Sequence, residues 1–183
     1  MSENTGKKEV EIVNIVVSTN LEHPIPLEKM AATLSNTEYN PEQFPGLVIR
    51  IKEPKTSALI FSSGNVVCTG ARTMAQVDEA IQQIIKSLEK INVTITVKPV
   101  IAVQNIVASG SIGMKLNLNT LAMRLENTEY EPEQFPGLVY KLNEAKATFL
   151  LFSNGKVVCT GTKSEKEVHK AMDMLIDRLK EFA

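Results

Sequence analysis

The side chains best suited to nucleophilic or metal chemistry are two cysteines, Cys68 and Cys159, and two histidines, His23 and His169, and their placement supports neither. The cysteines have no second thiol at a short spacing, so they form neither a disulfide framework nor a zinc site. Each sits in a Val-Val-Cys-Thr-Gly run, where a small apolar core residue is the ordinary role. Neither histidine has a Ser, Cys or metal-ligand constellation around it, and no Gly-rich phosphate loop, catalytic carboxylate pair or nucleophile motif is present. The sequence therefore reads as a protein that is not an enzyme and uses no cofactor and no metal. Aromatic and amide groups remain: Phe44, Phe61, Phe135 and Phe152, with Asn14 and Asn105. Such groups wedge, stack and donate hydrogen bonds rather than react.

These residues come in pairs because the chain repeats itself. Adding 91 to a residue number carries Asn14 to Asn105 and, without a gap, Ile91 to Phe182, with about 34 of these 78 positions identical. The strongest block is Asn36-Thr-Glu-Tyr-Asn-Pro-Glu-Gln-Phe-Pro-Gly-Leu-Val48 against Asn127-Thr-Glu-Tyr-Glu-Pro-Glu-Gln-Phe-Pro-Gly-Leu-Val139. A polar tail at 1–9, a first repeat at 10–91, a linker at 92–99 and a second repeat at 100–183 follow. Two similar units about a pseudo-two-fold axis imply a target of two-fold character.

The elements that position these residues follow from periodicity. Val10 to Ser18 is β-branched and predicts a strand with Asn14, Val16 and Ser18 on one face. Leu27, Met30, Ala31 and Leu34 predict a short helix introduced by Pro26, a residue that suits a first turn. Strands are predicted at Gly46 to Ile51, Ser57 to Phe61 and Asn65 to Thr69. A longer helix then carries Val77, Ala80, Ile81, Ile84, Ile85 and Leu88 as a stripe. Thr73 with Gln76, and Ser164 with Glu167, have capping-box spacing. Val93, Ile95 and Val97 alternate with polar residues and predict a strand extension over Asn92 to Lys98.

Two helices per repeat cover one sheet face, which takes Ile15, Val17, Leu47, Ile49, Ala58, Ile60, Val66 and Cys68. The other face is apolar as well. It carries Val16, Val48, Leu59, Phe61, Val67 and Thr69, and in the second repeat Val107, Val139, Leu150, Phe152, Val158 and Thr160. A patch of that size marks a binding surface, or else an interface in a homodimeric scaffold. Asn14, Asn105, Arg50 and Lys141 share the face and favour a partly polar partner.

With 43% hydrophobic and 22% charged residues, 183 residues suffice for a compact core, and no apolar run approaches a membrane span. The polar N-terminus has no signal-peptide pattern, so a cytoplasmic location is expected. Charge is balanced: residues 10–91 hold 7 basic and 9 acidic side chains, and 100–183 hold 10 of each. Bulk attraction to phosphate is absent.

Two copies of Glu-Tyr-x-Pro-Glu-Gln-Phe-Pro-Gly-Leu-Val, each followed by Phe-Ser-x-Gly-x-Val-Val-Cys-Thr-Gly, resemble the TATA-binding protein family, most nearly its archaeal members, from about Val10 to Phe182. The resemblance implies an α+β saddle: a continuous antiparallel sheet of about ten strands, with four helices on the convex face. It implies a general transcription initiation factor that binds and bends TATA-box DNA in the minor groove and recruits transcription factor B and, indirectly, RNA polymerase. By the same resemblance Asn14 and Asn105 donate to base acceptors. Val16, Val48, Leu59, Val67, Thr69, Val107, Val139, Leu150, Val158 and Thr160 line the groove. Phe44 with Phe61 and Phe135 with Phe152, beside Pro45 and Pro136, form the kinking pairs. With bulk charge balanced, phosphate contacts on such DNA would have to come from local groups such as Arg50, Lys141 and Lys156. Glu131 and Glu133 lie in the loop where transcription factor B docks. The alternatives are the homodimeric scaffold and a glycosylase-like DNA-binding domain, and the free protein has a possible homodimeric state.

Overall fold

A computed structural model describes residues 9–182; most of the polar tail at 1–9, and Ala183, lie outside them. In chain order the elements are β1 (Glu9–Asn20), α1 (Leu27–Thr33), β2 (Thr37–Glu38), β3 (Leu47–Ile51), β4 (Thr56–Ile60), β5 (Asn65–Ala71) and α2 (Met74–Glu89). The second copy follows with β6 (Ala102–Ser111), α3 (Leu118–Arg124), β7 (Thr128–Glu129), β8 (Leu138–Leu142), β9 (Ala147–Leu151), β10 (Lys156–Thr162) and α4 (Glu165–Lys180). A 3-10 turn at Asn143–Ala145 joins β8 to β9. The ten strands form an antiparallel sheet in the order β2-β3-β4-β5-β1-β6-β10-β9-β8-β7, with four α-helices among the described residues.

The chain divides into two compact units, Asn14–Gln104 and Asn105 onward, the latter including the start of β1 up to Val13. In the first unit β3 and β4 pair with Leu47 opposite Ile60 and Ile49 opposite Ala58, and β4 pairs with β5 with Ala58 opposite Cys68. Strict alternation then puts Leu47, Ile49, Ala58, Ile60, Val66 and Cys68 on one face, all fully or almost fully buried. The stripe of α2, from Val77 through Leu88, is buried as its period required. Each such aliphatic side chain contributes about 1.5–3 kcal/mol by leaving water. In the second unit, Tyr140 and Phe149 replace Ile49 and Ala58 in the buried layer, alongside Leu138, Leu151 and Val157.

Several local expectations need correction. Asn92 to Lys98 forms no strand. Ile91 and Val93 are buried, and the backbone turns, with Val93 N–H donating to the Leu88 carbonyl. Val93 is buried and Ile95 and Val97 half-buried between exposed neighbours, so the alternation marks the side turned toward the protein without any strand pairing. Pro26 introduces α1 as expected, standing at its N-cap. Thr73 and Ser164 do cap their helices, accepting from Gln76 N and Glu167 N. The return bonds, however, go to the residue before the cap: Gln76 Oε1 accepts from Arg72 N and Glu167 Oε2 from Lys163 N. Strand β1 begins at Glu9, one residue early, and the two-residue strands β2 and β7 carried too little sequence for a period to show.

Candidate nucleic-acid interface

The uncovered sheet face gathers the residues that the sequence paired. In each unit the side chains that alternate with the buried layer are half-buried or exposed: Val16, Val48, Leu59, Val67 and Thr69 in one, Val107, Val139, Leu150, Val158 and Thr160 in the other. Their neighbours are set by register, with Val48 opposite Leu59 and Leu59 opposite Val67, and Val139 opposite Leu150 and Leu150 opposite Val158. A contiguous band of branched aliphatic side chains results, with few donors. Alternation along β1 and β6 adds Ile12 and Val103, which the sequence reading left out although they sit two residues before the asparagines.

Asn14 and Asn105 are held by one device. The β1–β5 register breaks between Ile15 and Val17, and the β10–β6 register breaks between Cys159 and Thr162. Each break is a β-bulge that places a glycine of positive φ, Gly70 (+100°) or Gly161 (+94°), beside the asparagine. The glycine N–H donates to the carboxamide oxygen, at 2.6 Å to Asn14 Oδ1 and 2.8 Å to Asn105 Oδ1. Nδ2 donates to the Thr69 or Thr160 hydroxyl, at 3.0 Å in both units. The bulge glycines are functional candidates that the sequence analysis missed; their signal was the Thr-Gly pair present in both copies.

Both phenylalanine pairs form. Phe44 and Phe61 meet edge to face with ring centroids 5.8 Å apart, and Phe135 and Phe152 do so at 6.0 Å. Phe44 and Phe135 are each 43% exposed, an unusual state for so apolar a ring in a folded chain. The turn before each ring is tied by its backbone, with Phe44 N donating to the Asn40 carbonyl and Phe135 N to the Glu131 carbonyl. Pro45 and Pro136 follow, both exposed. The next residue is glycine, and the rings stand in the space a side chain would take: a Cβ on Gly46 would lie 2.8 Å from Phe44 Cε1 and 3.1 Å from Phe61 Cε1, and one on Gly137 would lie 2.8 Å from Phe135 Cε1 and 3.0 Å from Phe152 Cε1, so the rings would have to shift. Gly46 and Gly137 seat the ring pairs, and the sequence analysis passed over them. Phe149, by contrast, is fully buried.

The cations are less uniform. Arg50 lies on the open face, exposed, and its guanidinium reaches Glu38 at 3.4 Å, a surface pair worth under about 1 kcal/mol and exchangeable for a phosphate. Lys141 and Lys156 are exposed at the corresponding alternation. Asn65 stands where the second unit has Lys156, and its Oδ1 accepts from Asn20 Nδ2. Glu131 and Glu133 are exposed on the turn before Phe135.

Cys68 and Cys159 are fully buried on the helix-facing side. Burial pushes both thiols up to about 11, which suppresses the reactive thiolate. Among the described residues there is no cluster of potential metal ligands, and no helix is long and apolar enough to cross a membrane.

With this geometry in hand, comparison with known proteins is decisive. Residues 9–91 and 100–182 each match the family described as transcription factor TFIID, or TATA-binding protein. The chain belongs to the TATA-binding protein family. That family consists of non-enzymatic general transcription factors of promoter DNA. The TATA-box-binding protein of Methanocaldococcus jannaschii is 49% identical over 173 residues, spanning 94% of each chain. That of Archaeoglobus fulgidus is 46% identical over 93% of this chain and 94% of its own. A solved structure of Methanococcus jannaschii TBP superposes with a TM-score of 0.88 at 48% identity, covering 94% of this chain and 99% of that one.

Proposed function

We propose that this chain recognises TATA-type promoter elements by laying the open sheet face into the DNA minor groove. The observation that carries the reading is the composition of that face. It is a band of half-buried aliphatic side chains in which the asparagine amides are fixed with their donors available. At A·T pairs the minor groove offers only acceptors, which suit such donors and tolerate a dry surface. At G·C pairs the guanine amino group would meet aliphatic carbon and lose its water without a partner. Val16, Val48, Leu59, Val67 and Thr69, with Val107, Val139, Leu150, Val158 and Thr160, line the groove. Asn14 and Asn105 read base acceptors.

The two ring pairs act as wedges that unstack a base step and bend the duplex. Their exposure leaves apolar area to be covered, and seating on Gly46 and Gly137 holds each pair as a unit. Arg50, Lys141 and Lys156 take phosphates. With so few cations the affinity rests on apolar burial more than on counterion release.

The acidic turn with Glu131 and Glu133 docks transcription factor B, which in turn brings RNA polymerase, and the protein acts in the cytoplasm alongside the chromosome. The first-repeat turn has Asn40 where the second has Glu131, so the second is the more negative and the better match for a basic partner surface. A mobility-shift titration with a TATA duplex and a G·C-rich duplex, each with and without transcription factor B, tests the whole reading. Retention of the TATA duplex alone, supershifted by the partner, is expected. Equal retention of both duplexes, or a stable dimer indifferent to DNA, would contradict it.

A further inference from the structure

We infer that Gly70 and Gly161 are positioning residues that lock the Asn14 and Asn105 amides in one of their two flip states, so that each can only donate to a base. The inference rests on the promoter-DNA reading above and deepens it.

An asparagine carboxamide has a donor end and an acceptor end of nearly equal shape. Free to rotate by half a turn, it would meet an adenine or thymine acceptor with its nitrogen and a guanine amino group with its oxygen, and would discriminate poorly between them. Here the choice is removed. A backbone N–H can only donate, so whichever amide atom faces the Gly70 or Gly161 nitrogen at 2.6 or 2.8 Å has to be oxygen. Nδ2 is thereby turned toward Thr69 or Thr160, spends one hydrogen on that hydroxyl and keeps a second for a ligand. Thr69 and Thr160 cannot set this choice themselves, because a hydroxyl accepts from Nδ2 or donates to Oδ1 equally well, and both contacts occur.

The bulge supplies the N–H. An extra residue on β5 and on β10 takes the glycine out of ladder register with β1 and β6, leaving its N–H for the side chain. The positive φ explains the residue type, since an L side chain there is strained. A Cβ would also crowd the Lys55 carbonyl at 3.2 Å in one unit and the Lys146 carbonyl at 3.1 Å in the other. Both copies build the same arrangement, with donor and acceptor at matching positions of the repeat.

The test replaces one N–H by oxygen. Ligation at the natural Cys159 joins 1–158 to a synthetic 159–183 segment in which the Thr160–Gly161 amide is an ester. The N–H is lost, while glycine's freedom is kept. An all-amide protein made in the same way is the control, and circular dichroism checks folding. In the free control, a scalar coupling through the hydrogen bond between the Gly161 nitrogen and the Asn105 side-chain carbonyl carbon is expected. Its absence overturns the lock regardless of DNA. With DNA, the ester protein should bind a TATA duplex about tenfold more weakly, the scale of one lost base contact. Its preference for that duplex over one with G·C at the central steps should shrink. An undiminished preference overturns the proposal. A control that shows the coupling but no TATA preference refutes the promoter reading instead, and with it the purpose assigned to the lock.

Discussion

Removing one ring pair separates a wedge from a core aromatic. In Phe135→Ala with Phe152→Ala the protein loses an edge-to-face contact worth about 0.5–1.5 kcal/mol. The burial lost with it is partial, since Phe135 is 43% exposed and Phe152 half-buried, so the whole cost to folding is about 3–5 kcal/mol, below most of the usual 5–15 kcal/mol of a domain. The variant should therefore stay folded, with circular dichroism unchanged. On DNA the base step that the pair would open stays stacked, and the bend should fall to roughly half, the share of the remaining pair. End-to-end energy transfer on a labelled TATA duplex at saturating protein measures this. Phe149→Leu is the control: that ring is fully buried on the helix side, so it should cost about 1 kcal/mol of stability and leave the bend alone. A folded double variant that bends the duplex as wild type does would refute the wedge assignment.

Three further outcomes follow from the same geometry. Asn105→Asp keeps an oxygen to accept from Gly161 N but turns a carboxylate toward the base acceptors, so TATA affinity by anisotropy should drop at least about tenfold with the sheet intact; wild-type affinity would put the base contact elsewhere. Glu131→Arg with Glu133→Arg leaves the Glu131 carbonyl that ties Phe135 N, so binary DNA binding should hold or improve while the supershift with transcription factor B is lost; a persistent supershift would move the docking site to another surface. The buried thiols of Cys68 and Cys159 ionise near 11 when folded against 9.0 as the ordinary value. Their contribution is intact below pH 9 and is lost as pH rises toward 11, by up to about 1.4 kcal/mol per pH unit for each thiol; a denaturation midpoint flat across that window would contradict it.

Most of the sheet was legible because its two faces obey a period of two and one of them must be buried. Ile15, Val17, Leu47 and Cys68 declared themselves by alternation alone, and the repeat doubled every inference. Matching positions also singled out four phenylalanines as a set, Phe44 and Phe61 with Phe135 and Phe152. What stayed hidden was backbone geometry. A glycine that seats a ring, as Gly137 does, and one that aims an N–H, as Gly161 does, look alike in sequence, because each acts through the side chain it lacks. The apparent strand at 92–98 failed for the opposite reason. Alternation over seven residues needs a neighbouring strand to pair with, which sequence does not reveal.

The central claim is that selectivity is read in the minor groove by donors and steric exclusion. Replacing A·T by inosine·cytosine pairs keeps the acceptor-only minor-groove face of A·T while the major groove takes the face of G·C. Competition anisotropy among TATA, inosine-substituted and G·C-substituted duplexes therefore tests it most directly. The expected result is near-equal affinity for the first two and much weaker binding of the third. An inosine duplex that binds as poorly as the G·C one would contradict it.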